Sequence, residues 1–153
     1  MSTKAIQFLK KRAVLFEIIK YEHKEKGAEY AAGSIGFPLE KTIKTLVAEI
    51  GQKQYAVALM PGSKRLDVKK LASSCRTKRA AMVDRNTAER LTGYLVGGIS
   101  PFGLKRSLPA IMHESLLHHE AVIINGGQRG TMLKMKPADI ADLLACQIAD
   151  IAR

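Results

Sequence analysis

Apolar residues at Ala5, Ile6, Phe8 and Leu9 recur at helical spacing, with Ser2 or Thr3 available as a cap. Lys10-Lys11-Arg12 then puts positive charge at the carbonyl end, so a first helix is predicted there. Val14 to Tyr21 is rich in Ile, Val and Phe and predicts a strand. The small residues from Gly27 to Gly36 predict a short helix with loops, ending at Phe37-Pro38. Thr42 to Ile50 and Gln54 to Met60 predict two strands joined at hairpin length by Gly51-Gln52-Lys53.

Asp67 opens a predicted helix through Ser74, Arg79 to Val83 a further strand, and Asp84 or Asn86 caps a helix ending near Gly93. Ala121 to Ile124 and Thr131 to Met135 flank Asn125-Gly126-Gly127-Gln128-Arg129-Gly130, whose glycines favour a reversal between paired strands. A last helix is predicted from Pro137, with Asp139 at its positive end and one apolar stripe of Ile140, Leu143, Leu144, Ile148 and Ile151. Helices and strands in imperfect alternation predict a mixed α/β or α+β fold.

The chain has 153 residues, 46% of them hydrophobic, which predicts one domain over 1–153 held by ordinary packing rather than by a metal or disulfides. Cys75 and Cys146 form no C-x-x-C pair and no zinc-like cluster with His, so neither a disulfide scaffold nor a metal site is expected, and no cofactor is implied. Lysines and arginines break the N-terminal segment, and no apolar run approaches a membrane span. A soluble cytoplasmic setting without a membrane partner is the expectation. Charge adds a partner: 25 Lys and Arg against 14 Asp and Glu leave +11, which calls for a polyanion.

Two segments could carry chemistry. Alternation places Lys44 on one face with Leu46, Ala48 and Ile50, opposite Thr45 and Val47. An ammonium on an apolar face must reach either an anion, such as a phosphate or a developing oxyanion, or water at the start of its strand. The second segment, Gly93-Tyr94-Leu95-Val96-Gly97-Gly98-Ile99-Ser100-Pro101-Phe102-Gly103, carries four glycines. Gly97 and Gly98 would let a ligand approach main-chain N–H groups, although a plain structural turn has the same pattern. It is neither a dinucleotide fingerprint nor a Walker loop.

His118-His119 lacks a third metal ligand at useful spacing and is expected to be solvated; His23 and His113 could act as bases but show no partner in sequence. Ser100 has no nucleophile-elbow setting and is expected as a turn or pocket contact. The basic pairs Lys10-Lys11, Lys64-Arg65, Lys69-Lys70, Lys78-Arg79 and Lys105-Arg106 are spread along the chain, so folding must assemble any phosphate-binding surface. With 4 Tyr, 4 Phe and 0 Trp, backbone contacts to a structured RNA fit better than multi-base stacking.

With these residues in view, the chain resembles the YbaK-type aminoacyl-tRNA deacylases, relatives of the editing domain of bacterial prolyl-tRNA synthetases. The resemblance rests on Tyr21-Glu22-His23, Lys44-Thr45-Leu46, Leu66-Asp67-Val68-Lys69-Lys70, Thr92 to Pro101, Gly126-Gly127-Gln128-Arg129-Gly130 and Ala149-Asp150-Ile151. It implies a curved, barrel-like mixed sheet flanked by helices, and hydrolysis of the ester joining a wrong amino acid to tRNA. By that likeness Lys44 is the central, catalytic pocket residue and Tyr21, Thr45 and Tyr94 line the pocket. Gly97 and Gly98 supply main chain, Ser100 and Gly126 add substrate contacts, and Asn125 stands on the opposite wall. Relatives often carry Lys where Gln128 stands and Asp or Ser where Met132 stands, a departure that bears on amino-acid choice.

The implied substrate is Cys-tRNA(Pro), cleaved with help from its own thiol; Ala-tRNA(Pro), whose terminal ribose hydroxyl would assist, is the alternative. The implied partners are tRNA(Pro) and prolyl-tRNA synthetase. A non-catalytic tRNA- or synthetase-binding module with the same fold and basic surface is the competing possibility.

Overall fold

The computed structural model describes residues 2–153. Helix α1 (Lys4–Lys11) is capped by Thr3, whose hydroxyl accepts from the Ile6 N–H, and it buries Ala5, Ile6 and Leu9. Strand β1 (Glu17–Lys20) is shorter than the predicted Val14 to Tyr21, and α2 (Ala28–Ile35) ends at Gly36 in the left-handed conformation. A 3-10 turn (Leu39–Lys41) leads into β2 (Ile43–Ile50), which pairs antiparallel with β3 (Tyr55–Pro61) as the predicted hairpin. Asp67 caps α3 (Val68–Ser74), followed by β4 (Ala80–Met82) and α4 (Arg85–Thr92), capped by Asp84 and closed by Gly93.

The remaining elements are β5 (Ala110–His113), a 3-10 turn (Glu114–His118), β6 (Val122–Asn125), β7 (Thr131–Met135), α5 (Pro137–Leu143) and β8 (Gln147–Ala149). Here the predicted last helix needs correction. It stops at Leu143, Ala145 takes φ +48, and Ile148 lies on β8 rather than on a continuing helical stripe. Ile151 is buried, but against α3 and the sheet, not on α5.

The strands form two sheets, of order β1-β7-β6 and β4-β2-β3-β5-β8. The first is antiparallel throughout; in the second β3, β5 and β8 run parallel. The architecture is the expected mixed α+β fold, with its strands in two sheets that do not close into a full barrel. They meet at a parallel bridge, Thr42 to Ile123. Residues Ala56 to Pro61 of β3 are all buried because both faces of that strand are covered. Ala56, Ala58 and Met60 pack with Leu71 and Ile151, while Leu59 joins Ile6, Leu9, Phe102, Leu133 and Ile140 on the other side.

Candidate active site

Beside the bridge, β4 pairs with β2 only over Ala48 to Ile50, so the Ile43 to Val47 end of β2 has no strand along that edge. A cavity of about 530 Å³ occupies this space. Residues from both faces of β2 line it, Ile43, Thr45 and Val47 with Lys44 and Leu46, so the alternation that separates Lys44 from Thr45 does not separate them here. Asn125 and Met132 of the smaller sheet, Ala28 and Ala31 of α2, Met82 to Arg85, and Val96, Gly97 and Ile99 complete most of the wall. The size suits a ligand larger than a single amino acid.

Lys44 is half-buried in this wall, and burial, then the Arg65 charge, lower its pKa from that of an ordinary lysine; the Glu29 carboxylate opposes them. Thr45 Oγ1 is buried with no hydrogen-bond partner among the described residues. A hydroxyl in that state calls for a partner from a bound group. Met132 is 2% exposed and packs with Ala31 and Ile123, giving the cavity an apolar floor. Tyr21 lines the cavity, as does Lys26; Lys26 and Arg85 bring positive charge to its rim.

The glycine segment is held by side chains. Leu95 to Gly98 form a turn closed by the Gly98 N–H donating to Leu95 O at 2.8 Å, with Gly97 at φ +96. The Val96 N–H donates to Glu89 Oε2 at 2.8 Å, and this bond holds the Glu89 carboxyl below the usual carboxylate range. Arg129 donates to Val96 O from Nε at 3.3 Å and Nη2 at 2.9 Å. Asn125 Nδ2 donates to Gly97 O at 3.2 Å, while its Oδ1 accepts from the Gly127 N–H at 2.7 Å. Asn125 therefore ties the turn to the β6–β7 loop as well as facing the cavity.

Several expected site residues lie elsewhere. Tyr94 is not on the cavity wall: it is 6% exposed, packs in the main core, and its hydroxyl donates to Phe102 O. Burial pushes that phenol up to about 12. Ser100 is fully buried and its Oγ accepts from the Phe102 N–H at 3.3 Å, so it shapes the bend rather than the cavity surface. Gly98 is not among the residues that line the cavity, and a Cβ there would stand 2.8 Å from Gln128 Cα, so the β6–β7 loop packs directly on it. Gly126 is buried beneath the loop, its carbonyl receiving the Thr3 hydroxyl. Lys44, Thr45, Tyr21, Gly97 and Asn125 are the expected residues that the fold brings to one cavity.

Sequence reasoning missed Glu89 and Arg129, whose roles depend on a turn more than thirty positions from one of them. It also left His113 without a partner; the structure gives it Asp150, 3.2 Å from its Nε2, and Ser115 at 2.8 Å from Nδ1, away from the cavity. Asp150 is bound in turn by Lys70, and the Lys70 ammonium first, then the Ala152 N–H and His113, hold its carboxyl at about 2.

The chain matches the aminoacyl-tRNA editing domain family over residues 23–143. It is 32% identical over 151 residues to a protein of Enterococcus faecalis provisionally named Cys-tRNA(Pro)/Cys-tRNA(Cys) deacylase EbsC, covering 97% of this chain and 92% of that protein. It is 23% identical over 152 residues to the multifunctional Ser/Thr-tRNA deacylase ProXp-y of Escherichia coli (strain K12), covering 97% of this chain and 90% of the relative. A crystal structure provisionally described as a trans-editing enzyme for prolyl tRNA synthetase superposes with a TM-score of 0.88 at 25% identity, covering 100% of this chain and 99% of that one. The family match takes in Lys44, the glycine turn and the side chains that brace it, and the chain belongs to the aminoacyl-tRNA editing domain family.

Proposed function

We propose that the deacylase activity of this chain is directed at Cys-tRNA(Pro), with residues 1–153 working as one editing domain in the cytoplasm. The observation that carries this is a single cavity shared by the Lys44 ammonium and the Gly97 main chain, with no serine, cysteine or histidine among its described lining residues. An aminoacyl ester is already activated, so its cleavage needs position and oxyanion stabilisation more than a protein nucleophile. The substrate's own sulfur attacks the ester carbonyl, and negative charge gathers on the carbonyl oxygen beside Lys44. The terminal ribose oxygen then leaves with a proton, and water opens the resulting thioester.

Thr45 Oγ1, lacking a partner, is placed to bond the substrate's polar backbone, and the Met132 floor suits a soft, small side chain. The basic rim and the excess of +11 favour the phosphates of the acceptor end. Prolyl-tRNA synthetase is the proposed source of tRNA selection, in line with the description of the superposing crystal structure.

The test is to follow release of Cys, Ala and Pro from tRNA(Pro) charged with each, beside a Lys44→Ala variant. Wild type is expected to release Cys fastest, and the variant to lose at least about a hundredfold in kcat, the scale of one oxyanion contact. Because the amine of Lys44 loses its proton at lower pH than an ordinary lysine, the Lys44-dependent rate should fall at correspondingly lower pH on the alkaline side. Faster release of Ala than Cys overturns the substrate assignment. Binding of tRNA(Pro) without release of any amino acid overturns the catalytic one.

A further inference from the structure

We infer that Arg129 is a positioning residue that fixes the direction of the Val96–Gly97 peptide and thereby presents the Gly97 N–H to the reacting ester. The inference rests on the proposed deacylase site. No peptide bond among the described residues is cis, so the C=O and N–H of this unit point in opposite directions. Arg129 binds the Val96 oxygen through two N–H groups on the exposed side. The Gly97 N–H on the same unit must face away from the guanidinium, and Gly97 lines the cavity. No acceptor among the described residues takes that N–H.

The turn geometry makes this direction a choice rather than a necessity. A four-residue turn closed from Gly98 to Leu95 with φ +96 at its third residue is of type II; its central peptide is rotated by about 180° from that of type I, which most sequences prefer. Gly97 makes the type II form accessible, because only glycine takes that φ without strain. Arg129 selects it, since in the other form Val96 O would leave the guanidinium. A cation on the carbonyl also polarises the peptide and strengthens its N–H as a donor. The approach is close: a Cβ on Gly97 would stand 2.6 Å from Arg129 Nε, so the glycine and the arginine are fitted to each other. Glu89 on the Val96 N–H and Asn125 on Gly97 O hold the peptides on either side.

Steady-state kinetics on Cys-tRNA(Pro) should show kcat about tenfold lower in Arg129→Ala with KM within about twofold, a fraction of what loss of a whole oxyanion donor costs. Arg129→Lys, able to return one N–H to Val96 O, should recover part of the rate. A raised KM with a weaker salt dependence would instead make Arg129 a phosphate contact and overturn the inference, as would unchanged kinetics. Crystal structures of wild type and Arg129→Ala supply a readout independent of turnover. The Val96–Gly97 peptide is expected to reorient in the variant, and a peptide that keeps its direction without Arg129 overturns the inference. If wild type cleaves no mischarged tRNA, the proposed function has failed, and the crystallographic comparison still decides whether Arg129 sets this peptide.

Discussion

Thr45 carries an unmet need that the rest of the wall does not. Its hydroxyl is buried with no partner among the described residues, and such a group costs about 1–3 kcal/mol in an otherwise apolar setting. Thr45→Val replaces the hydroxyl with a methyl of similar size and keeps the β-branched shape that β2 favours. The variant should unfold at the same or a higher temperature than wild type, by up to about 1 kcal/mol of added stability, while KM for Cys-tRNA(Pro) rises at least about threefold. Calorimetry beside steady-state kinetics checks both halves. A loss of stability with unchanged KM would mean that the hydroxyl serves the fold and not the substrate. Single residues were unevenly legible. The residue types of Lys44 and Gly97 already pointed to an anion and to close main-chain approach, whereas Tyr94 offers the same phenol whether it faces a ligand or, as here, the Phe102 carbonyl inside the core. Which of the two holds depends on α1 and the β6–β7 loop: a Cβ on Gly127 would stand 3.0 Å from the Tyr94 ring and 3.1 Å from Thr3. No local pattern encodes that meeting.

Helix starts could be read from the chain, while helix ends could be read only where glycine marks them. Thr3, Asp67 and Asp84 cap three helices with side-chain oxygens, and all three residues stand at the predicted starts. Gly36 and Gly93 close α2 and α4 in the left-handed conformation that glycine adopts freely. The other three helices end through non-glycine residues in that conformation, at Ala13, Arg76 and Ala145. At α5 the Cys146 N–H donates to Ala141 O at 2.9 Å and the Ala145 N–H to Asp142 O at 3.3 Å, a Schellman closure with alanine where glycine is preferred. Apolar spacing alone ran on through Ile148 and Ile151, because nothing in the sequence marks this stop. Tertiary pairing imposes it: β8 adds to β5 in parallel, with Met112 opposite Ile148. Left-handed backbone costs an L-residue about 1–2 kcal/mol, offset in a glycine by about 0.4–1 kcal/mol of extra unfolded-state freedom. Ala145→Gly should therefore stabilise the protein by about 0.5–1 kcal/mol and raise its melting temperature by a few degrees. A lower melting temperature would show that the alanine methyl packs in a way that outweighs its strained backbone.

At the scale of the molecule, the site arises from incompleteness. Two sheets touch at Thr42 and Ile123, and the cavity fills the gap left where β4 stops short along β2. The antiparallel hairpin was visible in sequence because its strands are neighbours, but the parallel pairing of β3, β5 and β8 joins segments far apart and left no periodic trace. Net charge, by contrast, is a property of the whole chain that needs no fold to be counted. The basic residues behind the +11 excess are spread along the chain, and Lys26 and Arg85 bring part of that charge to the cavity. A substrate that carries both an ester and a phosphate chain should feel these two features separately. Binding that neutralises about three duplex phosphates weakens roughly fortyfold when salt is raised fourfold, because condensed counterions are released on association with a log–log slope near −0.9 per contact. The chemical step inside the cavity has no such dependence, since its cation and its amide act at close range with little solvent between. With Cys-tRNA(Pro), KM should thus climb steeply between about 50 and about 200 mM salt while kcat at saturation changes less than about twofold. A cysteinyl ester of adenosine, which retains the ester and lacks the phosphates, should show a nearly flat KM over the same range. Equal salt slopes for the two substrates would place the electrostatic attraction at the cavity itself and remove the extended basic surface from the account of tRNA binding.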